Sequence, residues 1–371
     1  MHISLLQMKV PELRKWYLLV ALVFFFLTAC ADTSVESTQS SQQNEATPTS
    51  IPTTTQIVLP EPTATNTPQP SRTPTQGISA DQRISLMAVG DMMFGRTIGE
   101  LIQAEGPLAP FLYTFETLST ADIAVGNLEC PISTRGTPEE KTYVFRAPPG
   151  AGEALALAGF DLVSLANNHA LDYGPLALED TMKVLDKHKI LYIGAGMDED
   201  AAYAPVFLEV DGLSLAFLAF ADIPPAEYDY RSWEAGPDKP GIAWAHKQRI
   251  QDGVRAAKAQ ADVVIVLVHN GYEIVQKVSA IQQEIAHLAI ESGASLVIGS
   301  HPHVLQRIEP YQDGIIFYSM GNFVFDNFLF PPNYSAILSV ELSPNGVESY
   351  EMIDVIVQLN GVPQIMPYDL E

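Results

Sequence analysis

Five apolar runs in this chain end in polar side chains that can bind a metal, and this recurrence limits the fold more than any other feature. Helix-like segments separate the runs along the chain. Buried strands that end in polar groups are typical of α/β enzymes, whose chemistry lies at the carboxyl ends of the strands. Antiparallel strands are predicted at the end of the chain, over 336–342 and 350–358. The pattern predicts a two-sheet α/β sandwich with helices outside.

Hydrophobic periodicity places the individual elements. Strands are predicted over 83–89, 121–126, 160–165, 191–194, 262–268, 294–298 and 314–319, and helices over 151–159, 175–187, 246–259 and 279–292. A hairpin about Asp211-Gly212 is expected to join arms at 206–210 and 213–220. The proline-rich stretch 222–243 carries Tyr228, Tyr230 and Trp233. It is predicted to be either a surface connection or a loop that faces the substrate.

The first thirty residues have the pattern of a secretory signal. Arg14 and Lys15 precede a short apolar run, 16–29, which is too short to span a bilayer comfortably. The run ends in Leu27-Thr28-Ala29-Cys30, which resembles the lipobox of bacterial lipoproteins. The alternative is an ordinary signal peptide with an incidental cysteine. Lipidation of Cys30 is favoured because the chain has only two cysteines and one lies at this position.

Residues 31–80 are rich in Ser, Thr, Pro, Gln and Asn and poor in aromatic residues. Such a segment cannot bury enough apolar surface to offset its ordering entropy, so it is predicted to be a disordered linker. The folded domain is then expected to occupy 81–371. Cys130 has no partner once Cys30 is lipidated, and is expected to be a small buried residue rather than a reactive thiol.

The formal net charge of −24 argues against a nucleic acid, or an anionic polymer, that is held by charge alone. The acidic residues are scattered, which is typical of a solvated surface. An acidic domain that handles an anionic substrate needs metal cations to reverse the sign of the local charge.

The polar residues after the five strands offer carboxylate, imidazole and carboxamide ligands together. They are Asp91, Asn127 with Glu129, Asn168 with His169, His269, and His301 with His303. A lone His is more often a hydrogen-bonded core residue than a ligand. Five such strand ends in one domain are harder to explain as packing, because buried polar groups cost free energy unless they are paired or metal-bound. The mixed oxygen and nitrogen set suits Mn, Fe or Zn.

These motifs, in this order, resemble the CapA family of poly-γ-glutamate capsule synthesis proteins, within the calcineurin-like metallophosphoesterase superfamily. The matching segments are Gly-Asp91, Gly-Asn-Leu-Glu129, Asn-Asn-His169, His269-x-Gly-x-Glu273, Gly-Ser-His301-Pro-His303 and Gly-Asn322-Phe. The resemblance covers about residues 84–325. It implies a four-layer α/β/β/α sandwich with a two-metal site at one edge.

The resemblance also implies a role for each residue. Asp91 and His303 would hold a first divalent metal, while Asn168, His269 and His301 would hold a second, and Glu129 would bridge them. His169 would contact the substrate and protonate the leaving group. The chain departs from the superfamily pattern at Met93, where a metal-ligating His is usual. One metal would therefore lack a ligand.

Two functions follow from the resemblance. The first is a lipid-anchored, extracytoplasmic metal-dependent hydrolase in capsule biosynthesis, cleaving a phosphoester or a γ-glutamyl amide. The second is a non-catalytic protein that binds or guides an anionic capsular polymer in an export complex with other membrane proteins. Asp172 is expected either to orient His169 or to cap the following helix. Retention of His169 favours the enzyme, whereas Met93 favours the non-catalytic protein.

Overall fold

The computed structural model describes residues 82–224, 228–326 and 330–367. The predicted signal peptide (1–30) and linker (31–80) lie outside these ranges, so their prediction stands as made. Within the described ranges, none of the helices has the length and apolar character needed to cross a bilayer.

The described ranges contain helices and strands that alternate over most of the chain. The helices are α1 (Arg96–Glu105), α2 (Phe115–Leu118), α3 (Gly150–Ala158), α4 (Gly174–His188), α5 (Glu199–Tyr203), α6 (Lys247–Lys258) and α7 (Ala280–Glu291). The strands are β1 (Ile84–Met92), β2 (Ile123–Leu128), β3 (Leu162–Ser164), β4 (Leu191–Ile193), β5 (Ala195–Gly196), β6 (Val206–Val210), β7 (Leu213–Asp222), β8 (Gly241–Ile242), β9 (Val263–Asn270), β10 (Leu296–Ser300), β11 (Ile308–Tyr311), β12 (Gly314–Phe317), β13 (Asn322–Val324), β14 (Tyr334–Ser343), β15 (Gly346–Val357) and β16 (Pro363–Ile365).

The strands form two main sheets of mixed direction. The first has the order β16-β15-β14-β1-β2-β3-β4, with β13 also paired to β1. In it β1 to β4 run parallel, while β14, β15 and β16 pair antiparallel. The second has the order β11-β12-β10-β9-β7-β6, in which β7, β9, β10 and β12 are parallel. The predicted hairpin is its β6–β7 edge.

Strand β7 shows how the layers are arranged. Leu215 and Phe217 belong to one buried cluster, which also contains residues of the first sheet, such as Leu86 and Val125. The intervening residues belong to a second cluster with side chains of α6 and α7, such as Ile250. Successive residues of a strand point to opposite faces of a sheet. One face of the second sheet therefore packs on the first sheet, and the other face packs on helices.

Helices α3 and α4 cover the first sheet, through buried residues such as Leu155 and Leu185. The result is the predicted four-layer α/β/β/α sandwich. The antiparallel strands predicted for the end of the chain are also confirmed, as β14 and β15. The predicted loop 222–243 differs in detail, because the described part contains a 3-10 turn at Tyr230–Trp233 and the short strand β8, paired with β5.

Gly90 permits a close approach of two strands next to the edge where the polar residues emerge. A Cβ at this position would lie 1.9 Å from the carbonyl oxygen of Gly321. The amide of Asp91 donates to that same oxygen at 2.9 Å. Because only glycine fits here, the sequence Gly90-Asp91 fixes the Asp91 carboxylate against the loop before β13.

Candidate metal centre

The parallel strands of both sheets end at one edge of the sandwich, and the predicted site residues converge there. Asp91 lies within the last residues of β1, and Glu129 follows β2. His269 is near the end of β9, and His301 follows β10 directly. All of these side chains are buried.

Asp91, Glu129 and His269 form the tightest group. Each offers one ligand atom, and the three atoms lie within 4.8 Å of one another. His269 Nδ1 is 3.8 Å from Asp91 Oδ1, and His269 Nε2 is 3.9 Å from Glu129 Oε1. The group links residues that the family resemblance divides between two metals, with Glu129 common to both sets.

The other three expected ligands surround this group. Asn168 Oδ1 lies 2.8 Å from His269 Nε2. His303 Nδ1 is 3.2 Å from Asp91 Oδ2, and its Nε2 is 3.8 Å from Glu129 Oε1. The imidazole of His301 lies 4.7 Å from that of His269, centroid to centroid. All six predicted ligands therefore belong to one cluster.

The turn that carries His301 and His303 has a strained backbone. His301 and His303 both have positive φ, at 94° and 57°. A non-glycine residue pays a conformational cost in this region, and such residues concentrate at functional sites. Pro302 between them accepts a hydrogen bond from the amide of Ile274 at 2.8 Å, which ties the turn to the loop after β9.

Two buried atoms of the predicted ligands have no hydrogen-bond partner among the described residues: Glu129 Oε1 and His301 Nδ1. Around Glu129 Oε1 stand the Nε2 atoms of His169, His269 and His303, at 3.9, 3.9 and 3.8 Å. These separations are too long for hydrogen bonds. An unpaired buried carboxylate oxygen is costly, and a shared cation would satisfy it. The donor set therefore fits a divalent metal.

The ionisation of the two carboxylates differs. Burial raises the pKa of Glu129 well above its ordinary value, and the neighbouring Asp91 carboxylate adds to this. Burial acts in the same direction on Asp91, but hydrogen bonding and charge attraction from His303 outweigh it and lower the pKa of Asp91. Two adjacent carboxylates repel each other, and a bound cation removes that cost.

Two of the histidines are held neutral, which is the form that binds metals. Burial lowers the pKa of His301 to about 3 and that of His269 well below its ordinary value, and repulsion from a neighbouring histidine adds to both effects. Burial also opposes charge on His303, but the Asp91 carboxylate raises its pKa.

His169 lies beside the cluster and is oriented by Asp172. His169 Nδ1 is 2.7 Å from Asp172 Oδ2, so the hydrogen-bond network assigns the Nδ1–H tautomer. Its Nε2 then faces Glu129, 3.9 Å away. Asp172 does not cap the next helix, because the N-cap position of α4 is Tyr173 and no side chain caps it. Burial lowers the pKa of His169 to about 4, while the Asp172 carboxylate acts against this.

Lys141 is a site residue that the sequence did not reveal. Its side chain is 1 % exposed, and its Nζ pairs with Asp172 Oδ1 at 2.5 Å. Nζ also lies 3.3 Å from His169 Nδ1 and donates to the carbonyl of Asn168 at 2.6 Å. The rings of Tyr230 and Trp233 cover it at 5.0 and 4.9 Å. Burial lowers its pKa, and Asp172 opposes that shift.

Two asparagines outside the six predicted metal ligands contact them. Asn127 donates to Asp91 Oδ1 at 2.8 Å, and its Nδ2 is 3.2 Å from His269 Nδ1. Asn322 Oδ1 lies 2.8 Å from His303 Nδ1. Such contacts from outside the ligand set orient metal-binding side chains. The segments that contain them, Gly-Asn-Leu-Glu129 and Gly-Asn322-Phe, were the signal available in the sequence.

Met93 makes no contribution to the ligand set. Its side chain is fully buried, and its Sδ accepts a hydrogen bond from the amide of Gly95 at 3.0 Å. A thioether is also a poor ligand for hard divalent ions.

A cleft with two cavities opens onto the cluster. The first cavity, about 400 Å³, is lined by residues that include Asn168, His301 and Tyr230. The second, about 340 Å³, is lined by residues that include His303 and Arg96. Tyr143, His169 and Glu273 line both. Tyr230 comes from the predicted loop 222–243, so this part of the loop faces the cleft.

The chain was compared with protein families, with curated proteins and with solved structures. The profile of the family described as "Bacterial capsule synthesis protein PGA_cap" matches residues 85–327. The chain is 31 % identical over 292 residues to the capsule biosynthesis protein CapA of Bacillus anthracis, covering 76 % of this chain and 70 % of that protein. It is 30 % identical over 288 residues to the PGA biosynthesis protein CapA of Bacillus subtilis (strain 168), covering 77 % and 74 %. A solved structure of a hypothetical protein from Thermus thermophilus aligns with a TM-score of 0.48 and 15 % identity, covering 73 % of this chain and 98 % of that one.

Proposed function

This chain belongs to the PGA_cap family of bacterial capsule synthesis proteins, and from that premise we propose that it is a metal-dependent hydrolase of capsule biosynthesis. Two relatives are named for capsule or PGA biosynthesis. We propose an anionic substrate, either a γ-glutamyl amide in the capsular polymer or a phosphoester. The observation that carries the proposal is the unpaired, buried Glu129 Oε1 with three imidazole Nε2 atoms about it.

Asp91, Glu129 and His269, together with Asn168, His301 and His303, would hold one or two divalent cations, with Mn, Fe and Zn as candidates. When bound, such cations neutralise developing negative charge on the substrate and lower the pKa of coordinated water. The neutral imidazoles of His269 and His301 present their lone pairs without first losing a proton.

His169 is the residue proposed to exchange a proton with the leaving group. Asp172 fixes its Nδ1–H, so the proton that moves is the one at Nε2. Burial disfavours the imidazolium in the free protein, whereas Asp172 favours it. Negative charge on a bound substrate acts in the same direction as Asp172. His169 would therefore gain its proton when an anionic substrate enters the cleft.

Lys141 is proposed to hold the Asp172 carboxylate in place. The Lys141 ammonium pairs with Asp172 Oδ1, which leaves Oδ2 for His169. The aromatic cover of Tyr230 and Trp233 keeps water from this pair. A carboxylate held in this way would keep the His169 ring in one orientation during turnover.

We further propose that the protein acts outside the cytoplasm, anchored to the cell membrane through lipidated Cys30. The support is the lipobox-like sequence 27–30 and the linker-like composition of 31–80. A linker of that length would let the folded domain reach a polymer at the membrane surface, where other membrane proteins of capsule synthesis are its proposed partners.

A second candidate function is that of a non-catalytic protein that binds or guides the anionic polymer. The observation that favours it is Met93, which is engaged with Gly95 and leaves the cluster without the usual additional His. Binding alone needs the cleft and a cation, but it does not need His169.

Substrate turnover separates the two functions. The purified protein would be assayed with Mn or Zn on an aryl phosphate and on a γ-linked glutamate oligomer. Metal-dependent turnover that His169→Gln lowers by about 10²–10⁴-fold supports the enzyme, since general acid catalysis contributes that much. A variant at an exposed position, Lys183→Gln, serves as the control. Polymer binding without turnover of either substrate under any metal would refute the enzyme and favour the second function.

A further inference from the structure

The two cavities of the cleft differ in chemistry. We call them the tyrosine lobe, lined by Tyr230 and Tyr272, and the arginine lobe, lined by Arg96. His169 lines both lobes, so the proposed reacting position lies between them. Arg96 is the one Arg or Lys among the described residues that line either lobe.

The Arg96 guanidinium is held in place on three sides. It pairs with Asp326, whose side chain is fully buried. It also lies over the rings of Phe145 and Phe325, at 4.7 and 5.9 Å from their centroids. A guanidinium fixed in this way loses little conformational entropy when it binds a ligand.

The need to neutralise the Asp326 carboxylate does not by itself explain why an arginine occupies position 96. Arg96 is the first residue of α1, where a positive charge is unfavourable, and it has a positive φ of 47°. Asp326 already accepts from the amide of Thr97 at 3.2 Å. The Arg96 side chain remains 37 % exposed, and its Nε and Nη1 have no protein acceptor among the described residues. Because Arg96 lines the cavity, these donors are available to a ligand bound there.

We propose that the arginine lobe is a substrate subsite in which Arg96 binds an anionic group, a carboxylate or a phosphate, next to the bond held at the metal centre. The inference rests on the proposed function, because it takes the substrate to be a chain with repeated negative charges. The Nη1–H and Nε–H donors lie on different edges of the guanidinium, and either can donate a charge-assisted hydrogen bond to one oxygen of a carboxylate or a phosphate.

The Phe145 ring shows where the subsite lies relative to His169. Phe145 stacks on the His169 imidazole at 4.1 Å and also contacts the Arg96 guanidinium. Arg96 is therefore one aromatic residue away from the proposed proton donor. In a chain with one anionic group per repeat, a unit beside the reacting unit reaches Arg96. The tyrosine lobe, which lacks Arg and Lys among its described lining residues, would take the chain on the other side.

The test is the gain in affinity with ligand length. The full chain, loaded with Mn and carrying His169→Gln so that ligands are not consumed, would be titrated calorimetrically with two series. One series is the dimer and tetramer of γ-linked glutamate, and the other is phosphate and tripolyphosphate. Arg96→Gln combined with Asp326→Asn removes the pair without leaving a buried charge. The matched control is Arg135→Gln with Asp180→Asn, an arginine–carboxylate pair outside the cleft lining.

The proposal predicts that the longer ligand of one series binds more tightly than the shorter one. The Arg96 double variant should weaken binding of that longer ligand by about tenfold, the size expected for a charge-assisted hydrogen bond. Arg96→Lys should recover part of the loss, and the control pair should lose none. Loss in the glutamate series identifies a carboxylate, and loss in the phosphate series identifies a phosphate.

Two results would overturn the subsite. One is an unchanged length gain in the Arg96 double variant, and the other is no length gain in either series for the parent protein. Turnover does not enter the measurement. Binding that depends on Arg96, together with no turnover of either substrate by the protein with His169 intact, would refute the proposed function and leave the subsite in place.

Discussion

Replacement of Lys141 by Met tests whether the buried ion pair behind His169 is formed as described. The Lys141 side chain is 1 % exposed and the Asp172 side chain is fully buried, so solvent does not screen the pair. Met is similar in length and fills the space between Tyr230 and Trp233 without a charge. The substitution leaves the Asp172 carboxylate buried without its cation.

The expected loss of stability depends on the hydrogen bonds that Asp172 retains in the variant. Removing one partner of a buried pair destabilises a protein by about 3–5 kcal/mol. Asp172 retains hydrogen bonds from the Phe145 amide at 2.6 Å and from His169 Nδ1 at 2.7 Å, which offset part of the loss. We therefore expect Lys141→Met to lower the free energy of unfolding by about 3 kcal/mol, at the low end of that range. Lys141→Met with Asp172→Asn should be about 2 kcal/mol more stable than Lys141→Met alone, because the buried charge is gone.

Urea denaturation followed by circular dichroism, with a chelator present so that metal binding adds nothing, measures these differences. Lys183→Met is the matched control, because Lys183 is 62 % exposed in its pair with Glu179. It should change the free energy of unfolding by less than about 0.5 kcal/mol. Lys141→Met within about 1 kcal/mol of the parent, or a double variant less stable than the single one, would refute the buried pair.

Three further predictions concern Cys30, the segment 31–80 and the thiol of Cys130. Cys30→Ala should release the protein from membranes after processing; unchanged fractionation with membranes would rule out the lipid anchor. A chain that begins at Gln82 should have the thermal stability of the full chain, whereas a large loss would show that residues 31–80 pack on the folded domain. Burial of Cys130 raises its thiol pKa to about 12. In a Cys30→Ser variant it should resist a thiol reagent at pH 8 until the protein is unfolded, and rapid reaction of the folded protein would contradict its burial.

The long elements of the fold were predictable because local pattern and tertiary environment agree. Strand β9 is apolar along most of its length and buried on both faces, so its sequence alone indicates a central strand. The hairpin β6–β7 follows from Asp211-Gly212 between two apolar arms. The short strand β13 was not predicted, because its extended state depends on pairing with β1.

The part of the candidate site that could be predicted from the sequence is the set of residues whose side chains can bind metals. Carboxylate and imidazole residues after apolar strands identified the cluster, because parallel strands bring their carboxyl ends to one edge. Lys141 and Arg96 gave no such signal. Lys141 belongs to a polar stretch that looks exposed, and its burial depends on Tyr230 and Trp233, which lie far along the chain. An arginine such as Arg96 is expected to be an ordinary surface residue. Only its contact with Phe145 and its place at the cleft suggest a role in binding.

Metal content measures the central claim most directly. The purified domain, incubated with Mn or Zn and then desalted, would be analysed by mass spectrometry for bound metal per chain. We expect at least one tightly bound metal in the parent protein, retained in His169→Ala and lost for the most part in His269→Ala, because His269 belongs to the tightest ligand group. A parent protein that stays metal-free, or a His269→Ala variant that keeps its full metal content, would contradict the account.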